Sequence, residues 1–325
     1  MLIAKDGWLD ERVTKAIGAP TFPTMPVTLP PIIGNWFDAR GWRPRRHQME
    51  MLAAARQGDH ALLVAPTGAG KTLASFLPTI ADLIVAPTEG LHTLYVSPLK
   101  ALAVDVRRNL LTPTEEMGLP IRVETRTGDT PSDRKARQRA RPPHILLTTP
   151  ESLSLLLSYP DADMMFANLR TVIVDEVHAF ATQKRGDLLS LSMARLQAIN
   201  PGLRRVALSA TVADVDAYRA WLAPDGDIGA VTPVLGEAGA DPHVAILIPE
   251  GRVPWSGHSG RYAAAQVMAE IQSRGTTLIF CNTRGLAELI FQDLWSANDA
   301  NLPIGIHHGS LSIEARRKVE SAMAA

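Results

Sequence analysis

At 325 residues, 46% hydrophobic and 20% charged, the chain has the composition of a globular protein with room for about two domains. Its 33 basic and 33 acidic side chains cancel, which excludes a global nucleic-acid signature and leaves any anionic partner to a local patch. One cysteine, Cys281, excludes an internal disulfide and a cysteine zinc cluster; early charge at Lys5 and Asp6, with no apolar run of spanning length, points to a soluble, cytoplasmic protein without membrane contact.

Residues 1 to about 34 carry Pro20, Pro23, Pro26, Pro30 and Pro31 with little periodicity, which predicts an extended lead-in. From Trp36 to Gln48 the chain is aromatic and arginine-rich, and an amphipathic stretch then runs to Arg56. The Gln48 amide offers both donor and acceptor to an adenine edge, although composition alone favours a surface position for it.

The stretch Ala61-Leu62-Leu63-Val64-Ala65-Pro66-Thr67-Gly68-Ala69-Gly70-Lys71-Thr72 reads as an apolar strand, a small-residue turn and a helix start. Thr67, Gly68, Ala69 and Gly70 can turn their backbone N–H groups inward, and with the positive end of the following helix they form a triphosphate cradle. The two glycines permit dihedrals that a side chain opposes. Lys71 is placed for the β and γ phosphates of ATP, and Thr72 for Mg²⁺. The general pattern has a glycine where this chain has Ala65.

Strand-length apolar runs follow at Leu91 to Ser97, Ile145 to Thr149, Thr171 to Val174 and Val206 to Ser209, separated by helical lengths. The alternation predicts an α/β doubly wound parallel sheet, whose ligands gather beyond the carboxyl ends of the strands. Those ends carry polar residues. Ser97-Pro98-Leu99-Lys100 and Thr148-Thr149-Pro150-Glu151 open helices where a backbone phosphate can sit, and Ser209-Ala210-Thr211 closes another strand. Asp175-Glu176-Val177-His178 follows the fourth run. Alone it reads better as a solvated acidic turn; with the phosphate loop upstream, Asp175 is expected to hold Mg²⁺, Glu176 to deprotonate the attacking water, and His178 to bridge to Ser209 and Thr211.

Residues 122 to 141 are locally basic, including Arg126-Thr127-Gly128-Asp129 and then Arg134, Lys135, Arg137, Arg139 and Arg141. A solvated helix face explains an isolated run of this kind, and a phosphodiester track explains one on the ligand rim. The Gly-, Pro- and Asp-rich residues 223–242 read as a linker between a domain at 35–222 and one at 243–325. There the expected strands are Val244 to Ile248, Thr276 to Phe280 and Ile304 to His307, with helices near Tyr262 to Gln272, Arg284 to Trp295 and from Ile313. With no third ligand in sight, His307 and His308 suit backbone-phosphate contacts better than a metal.

In order, these motifs resemble the superfamily-two DExH-box helicases with two RecA-like domains. The wording Tyr95-Val96-Ser97-Pro98-Leu99-Lys100-Ala101-Leu102, Pro249-Glu250-Gly251-Arg252-Val253-Pro254-Trp255 and His307-His308-Gly309-Ser310 narrows the resemblance to the large helicase-related (Lhr) family, in particular its bacterial branch encoded beside a DNA ligase. The resemblance implies an ATP-driven 3′ to 5′ translocase on single-stranded DNA that separates duplexes and RNA:DNA hybrids in DNA repair, with a ligase or nuclease as a candidate partner. It also gives Gln48 the adenine-reading role, and Arg126, Thr127, Thr149, Arg284 and the basic run strand contacts. The family's later motifs, which couple ATP to the strand and bring arginines to the γ-phosphate, have no counterpart before Ala325. The expectation from this is an incomplete second domain with exposed apolar surface, Mg·ATP binding with slow turnover, and no unwinding. A nucleotide-gated binding module and a double-strand translocase remain the other readings.

Overall fold

Runs of Val, Leu and Ile buried along their whole length are what a parallel sheet covered on both faces requires. The computed structural model, which describes residues 27–98, 106, 110–181, 183–210, 214–237, 243–247, 255 and 260–324, arranges them as one such sheet. Its strands are β1 (His60–Val64), β2 (Thr93–Val96), β3 (Val123–Arg126), β4 (Ile145–Thr148), β5 (Thr171–Val174), β6 (Arg204–Ser209) and β7 (Val231–Leu235). They lie in the order β3-β4-β2-β5-β6-β1-β7, and every neighbouring pair is parallel.

Helices α1 (Pro31–Ala39), α2 (Arg46–Gln57), α3 (Lys71–Val85), α4 (Ser132–Ala140), α5 (Pro150–Leu157), α6 (Ala162–Phe166), α7 (Lys184–Ile199) and α8 (Val215–Leu222) accompany the sheet. Consecutive strand residues point to opposite faces, so they feed two cores. Leu63, Tyr95, Leu147, Ile173 and Leu208 pack with Ile33, Phe37, Met51, Leu52 and Phe76 of α1 to α3. Leu62, Leu94, Leu146, Val172 and Ala207 pack with Leu153, Phe166, Leu189, Met193 and Leu222 of α5 to α8. Each fully buried side chain of this kind contributes about 1.5–3 kcal/mol. Truncating Phe76, wholly buried on the core face of the helix that follows the phosphate loop, removes about 3–5 kcal/mol.

Three elements depart from the expected plan, the first being β3, an edge strand that forms within the basic stretch where none was expected. The lead-in ends earlier than residue 34, because Pro31 opens α1 at a position where its missing N–H costs nothing. The stretch expected as a linker carries β7, which pairs with β1 from His60↔Val231 to Val64↔Leu235. Pro233 within it cannot donate to a ladder, and the strand accordingly lies at the sheet edge.

The chain divides into two compact units, Met1–Asp241 and Pro242–Ala325. In the second, α9 (Ala264–Gln272), α10 (Arg284–Ser296) and α11 (Ile313–Ala324) form at the expected places. Among its described residues the three expected strands make no ladder. A strand persists only through partner hydrogen bonds and a covered face, and here Val244, Ile246, Leu278 and Phe280 are 82%, 78%, 61% and 92% exposed. The apolar surface expected there is present. No helix among the described residues is long and apolar enough to cross a membrane.

Candidate nucleotide site and nucleic-acid rim

Strand register brings the polar strand ends together. Val64 stands beside Ser209, Ala207 beside Val174, Val174 beside Val96, Val96 beside Thr148, and Thr148 beside Arg126. One row further on, the rim of the sheet presents Asp175, Ser97, Thr149 and Thr127 side by side, and β6 and β1 run on past that row to Ser209 and Ala65. The phosphate loop, Ser209 and the Asp175-Glu176 pair end three adjacent strands, β1, β6 and β5.

The loop itself is built as the sequence requires. Gly68 and Gly70 are left-handed, with φ of 81° and 78°, and a Cβ on Gly70 would stand 3.3 Å from Gln48 Nε2. Gly70 then opens α3, where Lys71 is buried and Thr72 half-buried. Lys71 Nζ donates to the carbonyls of Ala65 at 2.8 Å and Pro66 at 3.3 Å. Burial lowers its pKa while Glu176 and Asp175 pull it back up. An ammonium held on loop carbonyls within reach of two carboxylates has the charge and position to meet a phosphate.

Gln48 is 4% exposed, not at the surface, and its Oε1 accepts from the Arg45 backbone N–H at 2.9 Å. Its neighbour His47 binds Ala69 O through Nε2 at 3.0 Å and leaves a buried Nδ1 without a partner. Arg45, His47, Pro66, Thr67, Gly68, Ala69 and Glu237 line a cleft of about 400 Å³ beside the loop. Thr67 is exposed at its lip. A larger, shallow hollow of about 560 Å³ lies on α6 and α7 among Asp163, Ala167, Arg195, Ala198 and Ile199, and shares none of these residues.

Asp175 is 8% exposed. Its Oδ2 accepts from the buried Tyr95 hydroxyl and its Oδ1 from the Glu176 N–H at 3.0 Å. Burial raises its pKa, and these two donors with Lys71 oppose the rise. Glu176 takes up left-handed backbone at φ 50° and ψ 50°, a conformation costing a residue with a Cβ about 1–2 kcal/mol. Burial and then Asp175 raise its pKa as well. His178 Nδ1 lies 2.9 Å from Ser209 Oγ and 3.4 Å from Glu176 Oε2. The bridge expected from His178 to Ser209 is thus formed; Thr211 lies outside the described residues.

The remaining rim residues behave differently from one another. Thr149 caps α5, accepting from Ser152 N–H at 3.4 Å, and Ser97 N–H donates to Thr148 O at 3.0 Å. Thr127 N–H donates to Thr130 Oγ1 at 2.9 Å, closing the turn before α4. Lys100 lies outside the described residues. Ser97, Thr149, Thr127 and Arg126 are all buried, 0%, 4%, 8% and 2% exposed, and Arg126 departs from the expected strand contact because its guanidinium is engaged at home, donating to Lys135 O at 2.8 Å and meeting the Tyr159 hydroxyl. It sits inside because strand alternation turns it into the sheet's packing layer, where it braces the turn.

The basic run is likewise partly engaged at home. Arg134 and Arg137 reach Glu124 Oε2 at 3.1 and 3.4 Å, Lys135 Nζ donates to Gly128 O at 2.9 Å, and Arg139 lies over the Tyr159 ring. In the second unit Arg284 donates to Ser310 Oγ at 2.7 Å and His308 pairs with Glu288 at 2.7 Å, so the two expected contacts share the His308–Ser310 turn. Among the described residues no group of three or more His, Cys, Asp or Glu gathers as a metal cage. Thr72 and Asp175 are the donors suited to Mg²⁺, which takes few protein ligands when phosphates supply the rest.

Sequence reasoning gave no role to His47, Arg45, Tyr95 or Glu237. Tyr95 had a signal in strand alternation, which aims it at the loop-bearing helix; Glu237 had none, because it follows a strand that read as linker.

The family model described as DEAD/DEAH box helicase matches residues 45–218. The chain is 35% identical to "Lhr helicase/ probable uracil glycosylase" of Mycolicibacterium smegmatis over 88% of its own length and 22% of that protein. It is 34% identical to "ATP-dependent helicase Lhr-Core" of Methanothermobacter thermautotrophicus over 91% of its own length and 37% of that protein. Among solved structures it resembles Mycobacterium smegmatis helicase Lhr bound to ssDNA and AMP-PNP, with a TM-score of 0.77, 36% identity, and coverage of 90% of this chain and 40% of that one. The chain spans well under half the length of these relatives. It belongs to the DEAD/DEAH box helicase family, with a RecA-like parallel-sheet core of the P-loop NTPase kind.

Proposed function

We propose that this DEAD/DEAH box helicase family member is the ATP-hydrolysing motor segment of an Lhr-type protein, moving 3′ to 5′ on single-stranded DNA and separating duplexes. The observation that carries the reading is the convergence of Lys71, Asp175, Glu176 and the His178–Ser209 pair on three neighbouring strand ends. Gly68 to Gly70 and the start of α3 enclose the phosphates of ATP, and Lys71 exchanges its loop carbonyls for them. Thr72 and Asp175 would hold Mg²⁺, which neutralises charge on the β- and γ-phosphates. Glu176 takes the proton of the attacking water, helped by a carboxyl pKa that burial and Asp175 hold above its ordinary value. His178 reads that turn and passes its position to β6 through Ser209.

Ser97, Thr127 and Thr149, level on the rim, supply the strand's backbone contacts, with Arg284 and His308 doing so from the second unit. The similarity to a helicase solved with ssDNA supports DNA as the track. DNA repair as the setting draws support from the Mycolicibacterium smegmatis relative named as a probable uracil glycosylase. Placement in the ligase-associated branch, and a ligase or nuclease partner, rest on motif wording alone.

The test is steady-state ATP hydrolysis with and without single-stranded DNA, beside Glu176→Gln. Strand-stimulated turnover that disappears in the variant supports the motor and overturns the slow turnover expected from the missing arginine motifs, and turnover indifferent to the strand refutes the motor. Nucleotide binding without stimulated turnover leaves a nucleotide-gated binding module.

A further inference from the structure

Arg185, the second residue of α7, lies outside every motif considered above, and its guanidinium joins three strand ends. Its Nε donates to Glu151 Oε1 at 2.6 Å and its Nη2 to Glu151 Oε2 at 3.2 Å, a two-pronged grip on one carboxylate. The same Nη2 donates to Pro98 O at 3.0 Å. The plane of charge lies 5.7 Å from the centre of the Phe180 ring. Pro98 follows Ser97 at the end of β2, Glu151 follows Thr149 at the end of β4, and Phe180 closes the turn that begins at Asp175 after β5. These three strands are neighbours in the sheet, β4-β2-β5.

The next residue fixes this arrangement to the catalytic turn. A Cβ on Gly186 would fall 2.1 Å from Phe180 O, so the first turn of α7 packs backbone to backbone against residues 180–181. Phe180 is fully buried behind it. The turn at 175–180 thus cannot shift without carrying the start of α7, and Arg185 with it. Stability does not account for the ion pair. Arg185 and Glu151 side chains are 37% and 54% exposed, and exposed pairs of this kind contribute little to folding.

We infer that Arg185 is the positioning residue that ties the strand-binding rim, at Ser97-Pro98 and Thr149–Glu151, to the turn carrying Glu176 and His178, so that a bound strand sets the water-activating geometry. The inference rests on the motor reading above. Arg185 touches neither nucleotide nor strand in this scheme. It acts by holding two rim segments and one catalytic turn in a single frame. The geometry needs the fork, because lysine offers a point charge that cannot grip both carboxylate oxygens and a carbonyl from one plane.

Arg185→Ala and Arg185→Lys are compared with the unaltered chain for ATP hydrolysis without strand, maximal strand-stimulated kcat, the strand concentration giving half-stimulation, and melting temperature. Both variants are expected to keep strand-free hydrolysis within about twofold and to lose about tenfold or more of the stimulated kcat, a span typical of coupling between sites. Glu151→Gln should lower stimulation in the same way, and the double variant should lose no more than either alone. Full stimulation in Arg185→Ala, or a loss of strand-free and stimulated rates in equal proportion with a lower melting temperature, overturns the inference. Rescue by Arg185→Lys refutes the need for the fork. Absence of strand stimulation in the unaltered chain removes the motor reading and this inference together, which separates it from a failure of Arg185 alone.

Discussion

A histidine buried neutral at the opposite rim of the sheet makes acid stability a test of the scaffold that holds the site. His92 immediately precedes β2, is 1% exposed, and sets Nδ1 2.9 Å from Thr93 Oγ1, while its Nε2 has no hydrogen-bond partner. Arg170 and Arg204 face it with positive charge, the burial-lowered His144 adds to theirs only once it is protonated, and Asp82 Oδ2 stands 3.9 Å from Nε2. Burial first, then those cations, lower its pKa from 6.5 to about 4. Below the ordinary histidine pKa the unfolded chain takes a proton that the folded chain refuses. The site's full stability is therefore present above about pH 6.5 and is lost as pH falls towards about 4. The complete shift is worth about 3 kcal/mol, of which about 2 kcal/mol is gone by about pH 5. Asn at this position keeps a polar atom for Thr93 and cannot titrate. Urea unfolding of both proteins between about pH 8 and about pH 5 should show the unaltered chain losing about 2 kcal/mol more than His92→Asn. Asp82, whose pKa burial raises, remains in both proteins and largely cancels in the difference. Parallel stability curves would refute a buried neutral histidine.

Three further outcomes concern the site itself. Because burial and Asp175 raise the Glu176 pKa, its carboxyl in the chain free of nucleotide and Mg²⁺ should titrate at a higher pH than an ordinary glutamate, and a carboxyl NMR titration at the ordinary value counts against a base tuned by its site. Tyr95→Phe removes a donor to the charged form of Asp175, so that carboxyl should titrate still higher and Mg·ATP affinity drop about 10- to 100-fold; carboxyl NMR titration and nucleotide binding read both effects. Gly70→Ala and Gly58→Ala both place a side chain at left-handed backbone, with φ of 78° and 83°, and each should cost about 1 kcal/mol. Only Gly70→Ala meets Gln48, so nucleotide affinity should fall there and hold in Gly58→Ala; equal losses would detach the effect from the site.

The sheet was legible wherever both faces are apolar. Leu62-Leu63-Val64, Leu146-Leu147 and Val172-Ile173-Val174 have no reading other than buried strands, and their chemistry-bearing residues follow them directly. β3 and β7 were hidden because they are edge strands, where Glu124, Thr125 and Pro233 need not be apolar. Arg126 misled for a related reason: charge in a sequence says surface, while its strand position turns it inward to Lys135 and Tyr159. The His178–Ser209 bridge could be anticipated because both follow adjacent strands. The inward turn of Gln48 onto Arg45 could not, since it depends on how α2 packs against the loop. In the second unit the helices were legible from their own periodicity, whereas strands depend on neighbours that a local pattern does not reveal.

Ala65, where the general phosphate-loop pattern carries glycine, is explained by its neighbour across the sheet. Val64 stands opposite Leu235, so the residues that leave the two strands, Ala65 and Gly236, also face each other. Gly236 N–H donates to Val64 O at 2.8 Å, and a Cβ at Gly236 would lie 2.3 Å from Ala65 Cβ. Two side chains cannot occupy that gap. The room given up at residue 65 is restored at residue 236, and the edge strand comes as close to the loop as backbone permits. Arg46, on the helix that carries Gln48, closes the same corner by donating to Leu235 O at 3.1 Å, and Glu237 emerges in the cleft beside Arg45 and Thr67. Loop, glutamine helix and edge strand therefore form one packed wall.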